Sequence, residues 1–195
     1  MRKIILILVL ITILFYPFFV FADDKNKEAG RSAYISYKKI LYTPSNDFLL
    51  SSINGQFFYK KYTIKKVLEK YNSPLVDNVD DFIKVCFDHE IDCYFLPAIA
   101  GLESTFGNYI LPNSFNPFGW GGGYIVFKSW SEGINKVAYG LKNNYLNRGL
   151  KNVEEIGSVY SESPNWAERV NFFINEFKKE EENLRLYFEK NELKL

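Results

Sequence analysis

With 195 residues, 47% of them hydrophobic, the chain is long enough for one domain with a real core, and wholesale disorder is excluded. The formal charge is +1 and no basic stripe is present, which excludes nucleic acid as a partner. Aromatic residues make up 18%, more than a core of this size hides, so some rings belong to the surface.

Met1-Arg2-Lys3 is a short positive segment, and Ile4 to Phe21 is almost wholly apolar. Val20-Phe21-Ala22 then places small residues where a leader is cut before Asp23, and Pro17 breaks the helix just upstream. The expectation is a signal peptide over residues 1–22 and a domain exported to the cell envelope or beyond. The apolar stretch also meets the lower length limit of a bilayer span, so an uncleaved N-terminal anchor is the alternative, and the only membrane contact foreseen. Residues 23–61 form an N-terminal extension without a clean period, and the main domain is read over 62–195.

Ile64, Val67, Leu68 and Tyr71 have helical spacing, closed by Asn72-Ser73-Pro74. Asp80-Asp81 open a second helix reaching Glu90. Cys86 and Cys93 are the only cysteines, seven apart across a turn at Ile91-Asp92, and two readings stay open: a disulfide or two buried thiols. His89 is the lone histidine, read as a surface residue near a helix end, which excludes a zinc site or a histidine-based nucleophile triad. Asp92 caps a third helix from Cys93 to Thr105 that is apolar nearly all round, hence the buried central helix, with Pro97 in its first turn.

Gly107 to Gly123 is a long loop or short hairpin, and Tyr124 to Phe127 a short strand. Ser129 and Glu132 have capping-box spacing for a helix closing near Gly149; Asn152 with Glu155, and Asn165 with Glu168, repeat it. Trp166, Val170, Phe173, Ile174 and Phe177 form the stripe of the last helix, with a solvated charged turn at Lys178 to Glu182. The fold class is mainly α, with a small irregular or β lobe inserted after the central helix.

Glu103 stands near the end of the buried helix, in Gly101-Leu102-Glu103-Ser104-Thr105-Phe106-Gly107. The negative helix end and the apolar neighbours Leu102 and Phe106 both disfavour its charged form. A carboxyl that keeps its proton is what a general acid needs to break a glycosidic bond. The loop Asn116-Pro117-Phe118-Gly119-Trp120-Gly121 offers flexible backbone beside two rings. Trp120 and Tyr124 suit one wall of a groove, Tyr160 and Trp166 the other. For Phe118 a core plug is the simpler reading, and for Trp130 and Trp166 core packing competes with sugar contact.

Glu103-Ser104-Thr105-Phe106-Gly107, Asn116-Pro117-Phe118-Gly119-Trp120 and Tyr160-Ser161-Glu162-Ser163-Pro164-Asn165-Trp166-Ala167, in that order, resemble the glucosaminidase domain of bacterial autolysins and flagellar or phage-type peptidoglycan hydrolases. Gly121-Gly122-Gly123 departs from the family's usual continuation after Phe-Gly. The resemblance covers residues 67–177. It implies a lysozyme-like α fold, no metal or other cofactor, and cleavage of the N-acetylglucosaminyl β-1,4 bond of peptidoglycan strands, with Glu103 as the acid. It also places Asn116, Tyr160 and Trp166 in the cleft. Glu132 is the candidate second carboxylate; the substrate's own acetamido group, with Tyr160 stabilising charge, is the other possibility. Two further functions fit the same residues: a lytic transglycosylase or muramidase, whose usual Gly-Leu-x-Gln continuation is absent, and a non-catalytic glycan-binding envelope protein.

Overall fold

A computed structural model describes the backbone from residue 47 to 192 and the side chains from 57 to 190. The expected signal peptide and leader lie outside the described residues. Contacts divide the chain after Leu50, and the packing below belongs to the unit Ser51–Leu195.

The chain is mainly α. Helix α1 spans Asp47–Lys70, α2 Val79–Asp88, α3 Phe95–Ser104, α4 Trp130–Asn144, α5 Val153–Tyr160 and α6 Trp166–Glu192. Short 3-10 turns at Val76–Asn78 and Leu146–Arg148 lead into α2 and out of α4. Helix α1 runs unbroken through residues 61 and 62, so the expected start of the main domain falls inside a helix.

Several sequence signals act where they were read. Asn72, with φ +49°, ends the first helix. Ser129 Oγ accepts from the Glu132 N–H, and the Asn152 side chain accepts from the Glu155 N–H, so both capping pairs satisfy donors that the first helical turn leaves orphaned. Asp92 caps the turn ahead of α3 rather than the helix itself: its carboxylate accepts from the Tyr94 N–H at 2.8 Å. Pro97 falls in the first turn of α3, where its missing N–H costs little.

Helix α3 is the core. Phe95 to Gly101 are all buried, and α3 lies against α6, which also carries α5, while α2 packs on α4. A side chain at Gly101 would stand 2.7 Å from the Phe106 ring and 2.9 Å from the Phe173 ring, so the lack of one sets how closely they pack. Burial of Ile64, Phe82, Ile99, Phe106, Phe118, Ile134, Ile156 and Phe177 gathers every helix, and the loop after α3, onto one apolar centre.

Two expectations need correction. The segment at Tyr124 to Phe127 forms no strand, and of the two alternatives for the insertion after α3 the described residues show the irregular one, without β structure. Positive φ at Gly119, Gly121, Gly122 and Gly123 curls the chain. The Ile125 carbonyl is then taken by the Asn116 side chain and the Phe127 N–H by the Ser114 carbonyl, which leaves no ladder to extend. Nor is Lys178 to Glu182 a solvated turn: it lies within α6, and Glu181 is buried. Its carboxylate accepts from Tyr94 Oη at 2.6 Å, Lys60 Nζ at 2.9 Å and Arg185 Nε at 3.0 Å, joining α1, the residue before α3, and α6.

Cys86 and Cys93 are disulfide-bonded, with Cα atoms 4.9 Å apart. Glu90, at φ +52°, supplies the reversal that brings them together. Closing so short a loop removes about 2.5 kcal/mol of unfolded-state entropy. Thermal melting with and without reductant checks this: the reduced domain should melt about 5–10 °C lower.

Candidate functional site

Glu103 is the ninth of the ten residues of α3, and the way that helix ends decides where its carboxyl points. Thr105 and Phe106 both take left-handed conformations, at φ +50° and +57°, with the Phe106 N–H returning to the Ala100 carbonyl at 2.9 Å. Each such residue costs about 1–2 kcal/mol without glycine. Two anchors hold them there. The Phe106 ring is fully buried against Tyr71, Phe173 and Phe177. Ser104 Oγ donates to the Pro117 carbonyl at 2.7 Å and accepts from the Gly107 N–H at 2.8 Å.

This turn overturns one expectation. Phe106 does not dry the carboxyl, because the reversal swings its ring into the core while Glu103 stays on the open face, an exposed residue. Exposure does not leave the carboxylate loose. Its Oε1 accepts the indole N–H of Trp166 at 2.8 Å, and Trp166 is itself only 3% exposed. Its Oε2 lies against Gly119, where a Cβ would come within 2.9 Å. A surface glutamate is thus held between a buried ring and a loop backbone.

The rings behind it form a continuous group. Tyr160 stacks on Trp166 at 4.7 Å between centroids, and Trp120 lies 5.9 Å from Tyr160. Tyr160 Oη donates to the Phe118 carbonyl at 2.8 Å and ties α5 to the loop. Burial, followed by the charge of Glu103, pushes its phenol well above the usual range, so it stays protonated and keeps that bond.

The expected site residues divide accordingly. Glu103, Gly119, Tyr160 and Trp166 come together, with Trp120 half-buried behind them. Phe118 is fully buried, as a core plug, and is closed to sugar contact. Asn116 is 4% exposed and spent on the loop: its Oδ1 accepts from the Trp120 N–H at 3.1 Å, and its Nδ2 donates to the carbonyls of Trp120 and Ile125. Burial likewise makes Trp166 a support for the carboxyl and not a sugar platform. Trp130 is partly buried, edge-on to Phe115 at 5.2 Å between centroids, so packing is its role. Tyr124 is 83% exposed, on a loop whose Tyr109, Leu111, Ile125 and Val126 are exposed as well.

Glu132 has a capping role. Its carboxylate accepts from the Lys128 N–H at 2.6 Å while its own N–H bonds Ser129, the reciprocal pattern that closes a helix N-terminus.

Two contributors escaped the sequence reading. Ser104 locks the loop to the helix end, and Tyr145 closes the ring group, 6.0 Å from Tyr160 and 6.4 Å from Trp120. For Ser104, its place beside Glu103 as the last residue of a buried helix was the available signal. Tyr145 carried none, because the rings it meets lie twenty-five residues before it and fifteen after it, on other segments.

Two hollows lie elsewhere. One of about 630 Å³ runs between α1 and α6 past Lys70, Tyr71 and Glu176; the other, about 240 Å³, lies by Phe95, Lys151 and Lys178; Glu103 lines neither. Among the described residues no group of acidic, histidine and cysteine side chains is placed to hold a metal ion. No protein-family model, no curated protein and no solved structure matches the chain.

Proposed function

We propose that the domain is a peptidoglycan glycosidase of lysozyme-like architecture, cleaving the N-acetylglucosaminyl β-1,4 bond with Glu103 as general acid. One observation carries this: an exposed carboxyl at the end of a buried helix, fixed by a buried indole N–H at 2.8 Å. An exposed glutamate with only a stability role gains little from such a tether, whereas proton transfer demands a carboxyl held in place. The exposed Tyr109 and Tyr124 on the loop that carries Gly119 offer faces on which sugar C–H groups stack. A glycan lying there dries the carboxyl, which the free protein leaves wet.

The other half of the chemistry falls to the substrate. Glu132 is engaged at both ends in its cap, so the sugar's acetamido oxygen serves as the internal nucleophile, and the product keeps the anomeric configuration of the substrate.

Mass analysis of purified peptidoglycan digested by the domain is the test. New reducing N-acetylglucosamine ends are expected. Anhydro-muramyl ends would make it a lytic transglycosylase instead, and wall binding without new ends would make it a glycan-binding envelope protein.

A further inference from the structure

The two oxygens of Glu103 are not equivalent. Oε1 has a neutral donor aimed at it, the Trp166 indole at 2.8 Å, and an oxygen that accepts a fixed N–H is the poorer place for a proton of its own. Oε2 faces the backbone of Gly119. A Cβ at that position would have three nearest neighbours, Oε2 at 2.9 Å, Cδ at 3.4 Å and Cγ at 3.7 Å, all of them atoms of Glu103. A methyl group there would press first on the carboxyl.

We propose that Oε2 is the oxygen that carries and delivers the proton, and that Gly119 keeps it clear for the glycosidic oxygen. This rests on the glycosidase reading above and deepens it. In the step, the proton passes from Oε2 to the glycosidic oxygen as the C1–O bond breaks, and the bonding electrons stay with that oxygen. The acetamido oxygen takes C1, and Glu103 is left as carboxylate. A water then adds its hydroxyl to C1, freeing the acetamido group, and its second proton returns to Oε2. Trp166 is a positioning residue throughout: it holds Oε1, so that the rotation of the carboxyl is settled before substrate arrives.

A pair of alanine variants separates this idea from backbone strain. Gly119 sits at φ +62° and Gly123 at φ +82°, so alanine pays a left-handed cost at both. A side chain at Gly123 meets nothing within 4 Å. Turnover of soluble glycan strands released from peptidoglycan should fall about a hundredfold in Gly119→Ala relative to Gly123→Ala, with both melting at similar temperatures. Equal turnover in the two variants, with Glu103→Gln inactive, overturns the assignment of Oε2 and leaves the glycosidase reading standing. A wild-type protein without turnover removes both.

Should Gly119→Ala fail to fold, Trp166→Phe decides, since it keeps an aromatic ring, though a smaller one, and loses the donor. Its kcat should drop about tenfold with KM unchanged, the pattern of a change that weakens the chemical step and leaves substrate binding alone. An unchanged kcat overturns the proposal.

Discussion

Replacing Glu103 by Gln should lower the rate of glycan cleavage at least a hundredfold, roughly the lower range for loss of a general acid. The substitution is close to isosteric. Its amide oxygen can still accept the Trp166 N–H, so the helix end and the ring group should keep their arrangement. What disappears is the proton. Turbidity clearing of a cell-wall suspension measures the rate, and co-sedimentation with the same walls measures binding. Lost clearing with retained binding is the expected pair. Clearing by the variant at the wild-type rate would remove Glu103 from the chemistry. Because the residue is exposed and its amide oxygen can keep the indole bond, the stability of the variant should lie within about 0.5 kcal/mol of wild type, so a lost rate cannot be blamed on unfolding.

The largest effect on stability is expected at Glu181, fifteen residues along α6 from Trp166. Its carboxylate is buried and meets Tyr94, Lys60 and Arg185, while the Lys60 ammonium also sits 4.0 Å from the centre of the Tyr94 ring. Glu181→Gln leaves two cations and a buried phenol facing an amide. Removing one partner of a buried ion pair costs about 3 kcal/mol at the lower end of its range, the part fitting a site whose Arg185 can still reach water. The melting temperature should fall by about 6–12 °C.

The same residue sets a pH signature. Burial alone pushes its carboxyl up, but hydrogen bonds from Tyr94, Lys60 and Arg185 outweigh it and hold the group below its ordinary 4.5. The unfolded chain therefore binds the proton more readily than the folded one. The stabilisation is fully present above about pH 4.5 and is lost as the pH falls through the lower folded value. Burial also lowers the His89 imidazole, which withdraws a further increment as the pH drops below its ordinary 6.5. His89 is common to wild type and variant, so the difference between their melting curves isolates Glu181. That difference should be largest near neutrality and shrink below about pH 4.5. A difference constant with pH would show that packing, and not charge, is what Glu181 provides.

How far sequence reasoning reached depended on whether the deciding partner was near in the chain. Ser129 with Glu132 and Asn152 with Glu155 are local, and the caps formed where the spacing placed them. The all-apolar run from Leu96 to Leu102 carried its own sign of burial, and it became the central helix. Glu103 was legible as a carboxyl at a helix end for the same reason.

The amino-acid order by itself determined most of the helices and their ends, the buried centre and the place of Glu103 at its margin, because each follows from neighbours within about two turns. Only the tertiary structure decided which way the side chains face. It turned Phe106 into the core and left Glu103 outside, drew a tryptophan indole 63 positions away onto one carboxylate oxygen, spent Asn116 on its own loop, and buried Glu181 in a run of charges that reads as solvent-exposed. Those outcomes depend on contacts between segments remote in sequence. Hydrophobic period and turn chemistry, being local quantities, do not encode them.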